Sequence, residues 1–228
     1  MKINEIITED DKFNQFELRE PFSSKGPLDP DAVRPVKDHT ELANIIETNC
    51  GQMLSAYRKT NKVLLRGIKS NEMSVITNIR PDRLPVEMPI DAHLRLKKAF
   101  DYLGLKANRS NSIFCSADPQ TAMVWGNLFV VFVKDGWSGT VWQRIPGAYF
   151  FDKAYDAAIN PDYSHDIPKL ANIINELQPL VVTPQNLDAV LDEHFKDILI
   201  TGTSYIGLRY GTRPCEKVMK LLNLGPID

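Results

Sequence analysis

Three short segments carry the side chains whose types and spacing could do chemistry: 63–68, 109–126 and 197–207. In the first, Arg66 follows a run of apolar residues and precedes Gly67. A guanidinium is a planar, permanently charged group that suits a pyrophosphate or its attached ribose. The glycine lets the chain or a ligand come close to the backbone. The pattern predicts a phosphate contact here, and the alternative is a strand-end arginine paired with a carboxylate.

The second segment combines neutral hydrogen-bonding groups with aromatic rings around the end of a short strand. The hydrogen-bonding side chains are those of Asn111, Ser112, Ser116 and Thr121, and the rings are those of Phe114 and Trp125. Polar groups beside aromatic faces suit a nicotinamide and its ribose. The alternative is a capped helix with buried rings, which any fold can contain.

In the third segment, Asp197 places a carboxylate at the start of an apolar strand. Such a group could hold a ribose hydroxyl and stabilise the positive charge that develops at the anomeric carbon. The alternative is an acidic residue that ends the loop between a helix and a strand. The residues alone leave both interpretations open.

Several other kinds of site are excluded by the sequence. There is no GxxxxGK[ST] loop, no GxGxxG sequence that opens a helix and no GxSxG elbow. The three cysteines are widely spaced and form no CxxC pair, so neither a disulfide framework nor a zinc site is predicted. The four histidines are also scattered, and no metal role is predicted for them. They are His39, His93, His165 and His194.

The composition is that of an ordinary globular protein, with 43% apolar and 25% charged residues in a chain of 228. The net charge is -2, and no basic run reaches the density of a nucleic-acid footprint. No stretch approaches the roughly 18 apolar residues of a membrane span, and the amino terminus lacks the apolar core of a secretory signal. We expect no membrane partner and a cytoplasmic location, or a particle assembled in a cytoplasm.

The elements that must position these segments follow from periodicity, caps and breakers. Predicted strands cover 62–68, 112–116, 128–133, 197–201 and 204–210, the last two forming a pair across Gly202. Predicted helices begin at Thr40 and Asp91 as N-caps, and others cover 118–126, 168–177, 184–195 and 213–222. Strands and helices alternate without a βαβ rhythm, which favours an α+β fold. Residues 1–38 are interrupted by prolines and predict an extended arm, followed by one domain over 39–228.

Taken in order, the three segments resemble the motifs of the ADP-ribosyltransferase superfamily. The sequence VLLRG, ending in Arg66 and Gly67, is similar to that family's first motif, in which a strand carries an Arg or His that grips NAD. The stretch from Ser112 to Trp125 resembles the second motif, a strand rich in Ser and aromatic residues that leads into a helix. Asp197 and the strand after it resemble the strand that begins with the catalytic Glu. The likeness covers roughly residues 60–210, and is greatest to phage-encoded members with an RxNSxFC-type segment.

This resemblance implies a split mixed sheet with flanking helices and a cleft that takes NAD as substrate. Arg66 would hold a phosphate or the adenosine side, Phe114 would pack near the nicotinamide, and Ser116 would order the strands. Asp197 would be the catalytic acid, with an aspartate where the family has glutamate and without the usual Gln or Glu two residues before it. The remaining cofactor contacts implied are Gly67, Asn111, Ser112 and Trp125.

Two functions are therefore predicted. The first is transfer of ADP-ribose to a macromolecular acceptor, either a host protein or a nucleic acid. The alternative is a non-catalytic virion or assembly protein that keeps the transferase fold and binds other virion proteins. A third interpretation is a toxin or antidefence factor that binds NAD or a nucleotide without transferring it. For a phage-encoded chain, the location is the host cytoplasm or the virion.

Overall fold

The computed structural model of the chain describes residues 38–83, 88–142, 150–164, 166–193, 195 and 197–225. Its helices are α1 (His39–Asn49), α2 (Gly51–Thr60), α3 (Ile90–Tyr102), α4 (Pro119–Met123), α5 (Phe150–Ile159), α6 (Pro161–Ser164), α7 (Ile167–Glu176), α8 (Leu187–Asp192) and α9 (Arg213–Leu221). Its strands are β1 (Leu65–Ile68), β2 (Ser74–Asn78), β3 (Ser112–Cys115), β4 (Asn127–Val133), β5 (Ser138–Trp142), β6 (Pro179–Val182), β7 (Ile198–Thr201) and β8 (Ser204–Arg209). The predicted arm, apart from Asp38, lies outside the described residues.

The strands form two separate four-stranded sheets. The first sheet has the order β1-β4-β8-β2, and the second has the order β3-β7-β5-β6. The predicted α+β class is confirmed. Every pairing between these strands is antiparallel, whereas the resemblance implied mixed strand directions.

The predicted pairing of β7 with β8 is wrong. The two strands are consecutive in the chain, but β7 pairs with β3 and β5, whereas β8 pairs with β2 and β4. Both edges of each strand are therefore occupied, and no edge remains for a hairpin between them. The chain instead crosses from the second sheet to the first at Gly202, where a side chain would meet Val133 and Trp137.

Helix boundaries follow local capping chemistry. Asp38, not Thr40, is the N-cap of α1, because its carboxylate accepts the Thr40 N–H at 2.8 Å. The second predicted cap, Asp91, lies inside the first turn of α3, where a negative charge is favourable to the helix dipole. The predicted cap Asp118 is confirmed, with Pro119 in the first turn of α4.

Two hydrophobic cores lie on opposite faces of the second sheet. One face contributes Ile113, Cys115, Ile198 and Ile200 to a core that also holds β4 and helices α1, α2, α8 and α9. The other face contributes Leu199 and the half-buried Phe114 to a core formed with α3, α5 and α7. This alternation along β3 and β7 is that of strands covered on both sides, and it fixes the direction in which each side chain points.

Within the first core, Tyr57 of α2 sets the position of β1. Its hydroxyl is fully buried, donates to the Val131 carbonyl at 2.6 Å and accepts the Leu64 N–H at 3.1 Å. One side chain thus satisfies a backbone group in β4 and another just before β1. Because buried backbone groups need partners, this hydroxyl holds the two strands and the helix in one arrangement.

Gly67 is required by close packing between β1 and the end of α4. A Cβ at position 67 would collide with the Ala122 carbonyl oxygen and would lie 2.9 Å from the Gly126 nitrogen. Gly126 has φ of 140°, in the region that favours glycine, and a Cβ there would be 2.7 Å from the Ile68 carbonyl. Of the two partners predicted for Gly67, the chain or a ligand, the structure shows the chain: backbone atoms at the end of α4 lie against this glycine.

We expect Gly67→Ala to lower the free energy of unfolding by about 1–3 kcal/mol, because β1 must move away from α4 to admit the methyl group. Chemical denaturation measures this loss. The control is Gly51→Ala at the start of α2, where the new methyl would meet only the Asp135 carboxylate at 3.5 Å. That variant should be as stable as the parent or slightly more stable. Equal stability of both variants would contradict the packing role of Gly67.

Candidate functional site

The structure brings the three segments of the sequence analysis together. Leu65 of β1 and Ser116 at the end of β3 exchange two backbone hydrogen bonds of 2.8 Å, which form an isolated bridge between the sheets. On the other side of β3, Cys115 pairs with Ile198 of β7. The Ala117 N–H donates to the Phe195 carbonyl at 2.9 Å, which ties the chain just before β7 to the same point. The three segments therefore lie side by side.

Arg66 directs its guanidinium from β1 towards β3. Its Nη1 donates to the Phe114 carbonyl at 3.0 Å, and its guanidinium carbon lies 5.8 Å from the centre of the Tyr205 ring. Its Nε is buried and has no hydrogen-bond partner among the described residues. No carboxylate in the described part of the chain forms an ion pair with Arg66. The surroundings of Arg66 thus differ from those of a strand-end arginine neutralised by an acid.

The predicted hydroxyl and amide contacts of β3 are used within the protein. The Ser116 hydroxyl is buried, accepts the Asp118 N–H at 3.0 Å and donates to the Phe195 carbonyl at 3.4 Å. The Ser112 hydroxyl is also buried and donates to Asn111 Oδ1 at 2.9 Å. These bonds fix the two ends of β3, so the two serines position the strand.

Asn111 closes the turn that leads into β3. Its Oδ1 accepts the Asn108 N–H at 2.9 Å, and its Nδ2 donates to the Lys106 carbonyl at 2.8 Å. The Asn111 carbonyl in turn accepts the Thr201 hydroxyl at 2.8 Å. The side chain and the backbone of Asn111 therefore join this turn to β7.

The Phe114 ring of β3 lies against two arginines that the sequence analysis did not select as site residues. The guanidinium carbons of Arg83 and Arg109 lie 5.7 Å and 5.6 Å from the centre of its ring. Such distances are typical of cation–π contacts. Arg109 opens the RxNSxFC-type segment, so its presence at the site had a signal in the sequence. Arg83 had none, because it belongs to a distant loop that only the folded chain brings to β3.

Arg83 is held in place by the backbone of the β3 segment. Its Nη1 donates to the Ser112 carbonyl at 2.9 Å, and its own N–H donates to the Ser110 carbonyl at 2.7 Å. Burial, followed by the positive charges of Arg66, Arg80 and Arg109, lowers the pKa of Arg83 to about 10. Arg83 is still protonated at neutral pH, so β3 is surrounded by a concentration of positive charge.

Asp197 and Trp125 lie on different parts of this region. Asp197 is half-buried and immediately precedes β7, and strand alternation places it on the same face as Leu199 and Phe114. That face also contacts Arg83. Trp125 follows α4, where its backbone packs against Gly67 and its side chain is 56% exposed. The indole is thus on the surface in the structure.

The described residues contain no group of three or more His, Cys, Asp or Glu side chains placed to hold a metal ion. Within the same ranges, no helix has both the length and the apolar character that a membrane crossing requires. No protein-family model, no curated protein and no solved structure matches the chain.

His93 of α3 supports the loops that carry the arginines. It is 3% exposed, and its Nε2 lies 2.9 Å from the Ser110 hydroxyl. The Ser110 carbonyl is the acceptor for the Arg83 N–H. Burial, together with the nearby charge of Arg109, lowers the pKa of His93 below its ordinary value of 6.5. The imidazole is therefore neutral in the folded protein at neutral pH.

We expect Ser116→Ala to lower the free energy of unfolding by about 1–2 kcal/mol, because the Asp118 N–H loses its acceptor in a buried site. Urea denaturation measures the change. The control is Ser55→Ala on the exposed face of α2, which should have no cost. The same loss in both variants would argue against the positioning role of Ser116.

His93 should also make stability depend on pH. Because its folded pKa lies below 6.5, the unfolded chain takes up the proton first as the pH falls. The contribution of neutral His93 is complete above its ordinary pKa of 6.5 and decreases as the pH falls below that value. The slope of the melting temperature over this range should be smaller in His93→Gln. His39→Gln, at a position that is not buried, is the matched control, and an unchanged slope in His93→Gln would refute this assignment.

Proposed function

We propose that the chain is an ADP-ribosyltransferase-like protein that binds NAD and transfers ADP-ribose to a macromolecular acceptor. The observation that carries this proposal is the adjacency of β1, β3 and the start of β7 around the Leu65–Ser116 bridge. The resemblance requires a guanidinium, a serine-bearing strand and an acid from these three segments to meet. The fold provides that adjacency, although the segments are far apart in the sequence.

The surroundings of Arg66 fit an anionic group. Its buried Nε has no partner among the described residues, and no carboxylate described in the structure forms an ion pair with it. Arg66 is half-buried, and a partly desolvated guanidinium is stabilised by an acceptor that carries negative charge. In the proposed function, Arg66 holds a phosphate of the dinucleotide while keeping its bond to the Phe114 carbonyl.

Asp197 would act on the ribose. Bound NAD supplies a ribose–nicotinamide bond whose cleavage leaves its electron pair on the nicotinamide nitrogen. The Asp197 carboxylate holds a ribose hydroxyl and stabilises positive charge at the anomeric carbon. The acceptor's nucleophile then bonds to that carbon and gives up its proton. Since aspartate is one methylene shorter than glutamate, we expect slower turnover than an enzyme with glutamate at this position would show.

The test of this function is release of nicotinamide, together with transfer of labelled ADP-ribose to proteins or nucleic acids of a cell lysate. Asp197→Asn should reduce nicotinamide release by about a hundredfold or more, because it removes the charge that stabilises the transition state. NAD binding, measured by calorimetry, should be nearly unchanged. Asp162→Asn, an exposed position on α6, is the matched control and should keep full activity. Unchanged release in Asp197→Asn would remove Asp197 from the mechanism.

A non-catalytic virion or assembly protein is the second candidate function, and one observation favours it. Three consecutive apolar residues, Met123 at the end of α4 and Val124 and Trp125 directly after it, are 60%, 76% and 56% exposed. Adjacent exposed apolar groups are typical of surfaces that contact a partner. Stoichiometric recovery in purified particles, without nicotinamide release by the parent chain, would support this function over transfer.

A further inference from the structure

Three arginines around Phe114 form a cationic centre, and the proposed transfer of ADP-ribose uses only one of them, Arg66. Arg83 and Arg109 both lie against the Phe114 ring, and Arg66 donates to the carbonyl of the same residue. These three cations come from three separate parts of the chain. Hydrogen bonds from Arg83 to Ser112 and Ser110 fix the centre on the backbone of the β3 segment.

Neither Arg66 nor Arg83 forms an ion pair with a carboxylate in the described ranges. Burial lowers the pKa of Arg83, and the positive charges of Arg66, Arg80 and Arg109 lower it further. Like charges held close together and partly desolvated are unfavourable. A multivalent anion would relieve this repulsion and gain charge-assisted hydrogen bonds.

We propose that Arg83 and Arg109, beside Arg66, form a subsite for a phosphate group additional to the two phosphates of a dinucleotide. The preferred ligand is a compact small molecule with at least three clustered phosphate groups. A compact ligand is favoured over a nucleic-acid strand because all three guanidiniums lie against one residue, Phe114. The proposal does not require transfer of ADP-ribose, so it can hold or fail independently of the proposed function.

The experiment titrates the full chain with inorganic tripolyphosphate and, separately, with pyrophosphate, at constant ionic strength in a calorimeter. Tripolyphosphate should bind about tenfold more tightly than pyrophosphate, because the third phosphate reaches Arg83 and Arg109. Arg83→Gln and Arg109→Gln should each remove that preference. Arg213→Gln changes an exposed arginine at the start of α9 and should leave both affinities unchanged.

The controls separate this site from general charge attraction and from misfolding. If Arg83→Gln does not fold, as judged by circular dichroism, Arg109→Gln decides the matter because it leaves both Arg83 hydrogen bonds in place. Tripolyphosphate contains neither ribose nor nicotinamide, so its binding tests this subsite separately from the transfer chemistry. The proposal is overturned if tripolyphosphate does not bind or has no preference over pyrophosphate. Equal weakening by Arg213→Gln, or binding only to a short single-stranded oligonucleotide, would also overturn it.

Discussion

The two backbone hydrogen bonds between Leu65 and Ser116 are the constraint on which the site depends. They connect the first sheet to the second at the position where β1 carries Arg66 and β3 ends. The bridge fixes the position of the Arg66 guanidinium relative to Phe114, within a core that the two sheets share. Tyr57 supports the bridge, because its hydroxyl accepts the N–H of Leu64, the residue just before Leu65.

Charge and packing have opposite requirements around β3. The strand is covered on one face by apolar side chains such as Cys115, while its other face and its carbonyls receive guanidiniums. Burying cations is unfavourable unless they find acceptors, and the Phe114 and Ser112 carbonyls provide one acceptor each for Arg66 and Arg83. The backbone of β3 therefore holds two positive charges in place.

Much of the fold could be predicted from the sequence where the signal is local. The apolar run of β4 and the Asp118 cap of α4 depend on neighbouring residues, and both are found where the patterns place them. Strands β2, β5 and β6 were missed because they are short and lack a clear alternation. The pairing of β7 with β8 was predicted wrongly because adjacency in the sequence does not reveal which edges other strands occupy. Arg83 joins the site by tertiary contacts alone, so no spacing rule could have selected it.

The crossing at Gly202 has a consequence for how the molecule opens. Only two residues separate β7, an inner strand of the second sheet, from β8, an inner strand of the first sheet. Detachment of either strand from its sheet should therefore disturb the other. Amide protons in β7 and β8 should therefore exchange with solvent through a shared cooperative event, although they belong to different hydrogen-bonded layers. The region around Phe114 is thus built on strands that are expected to open together.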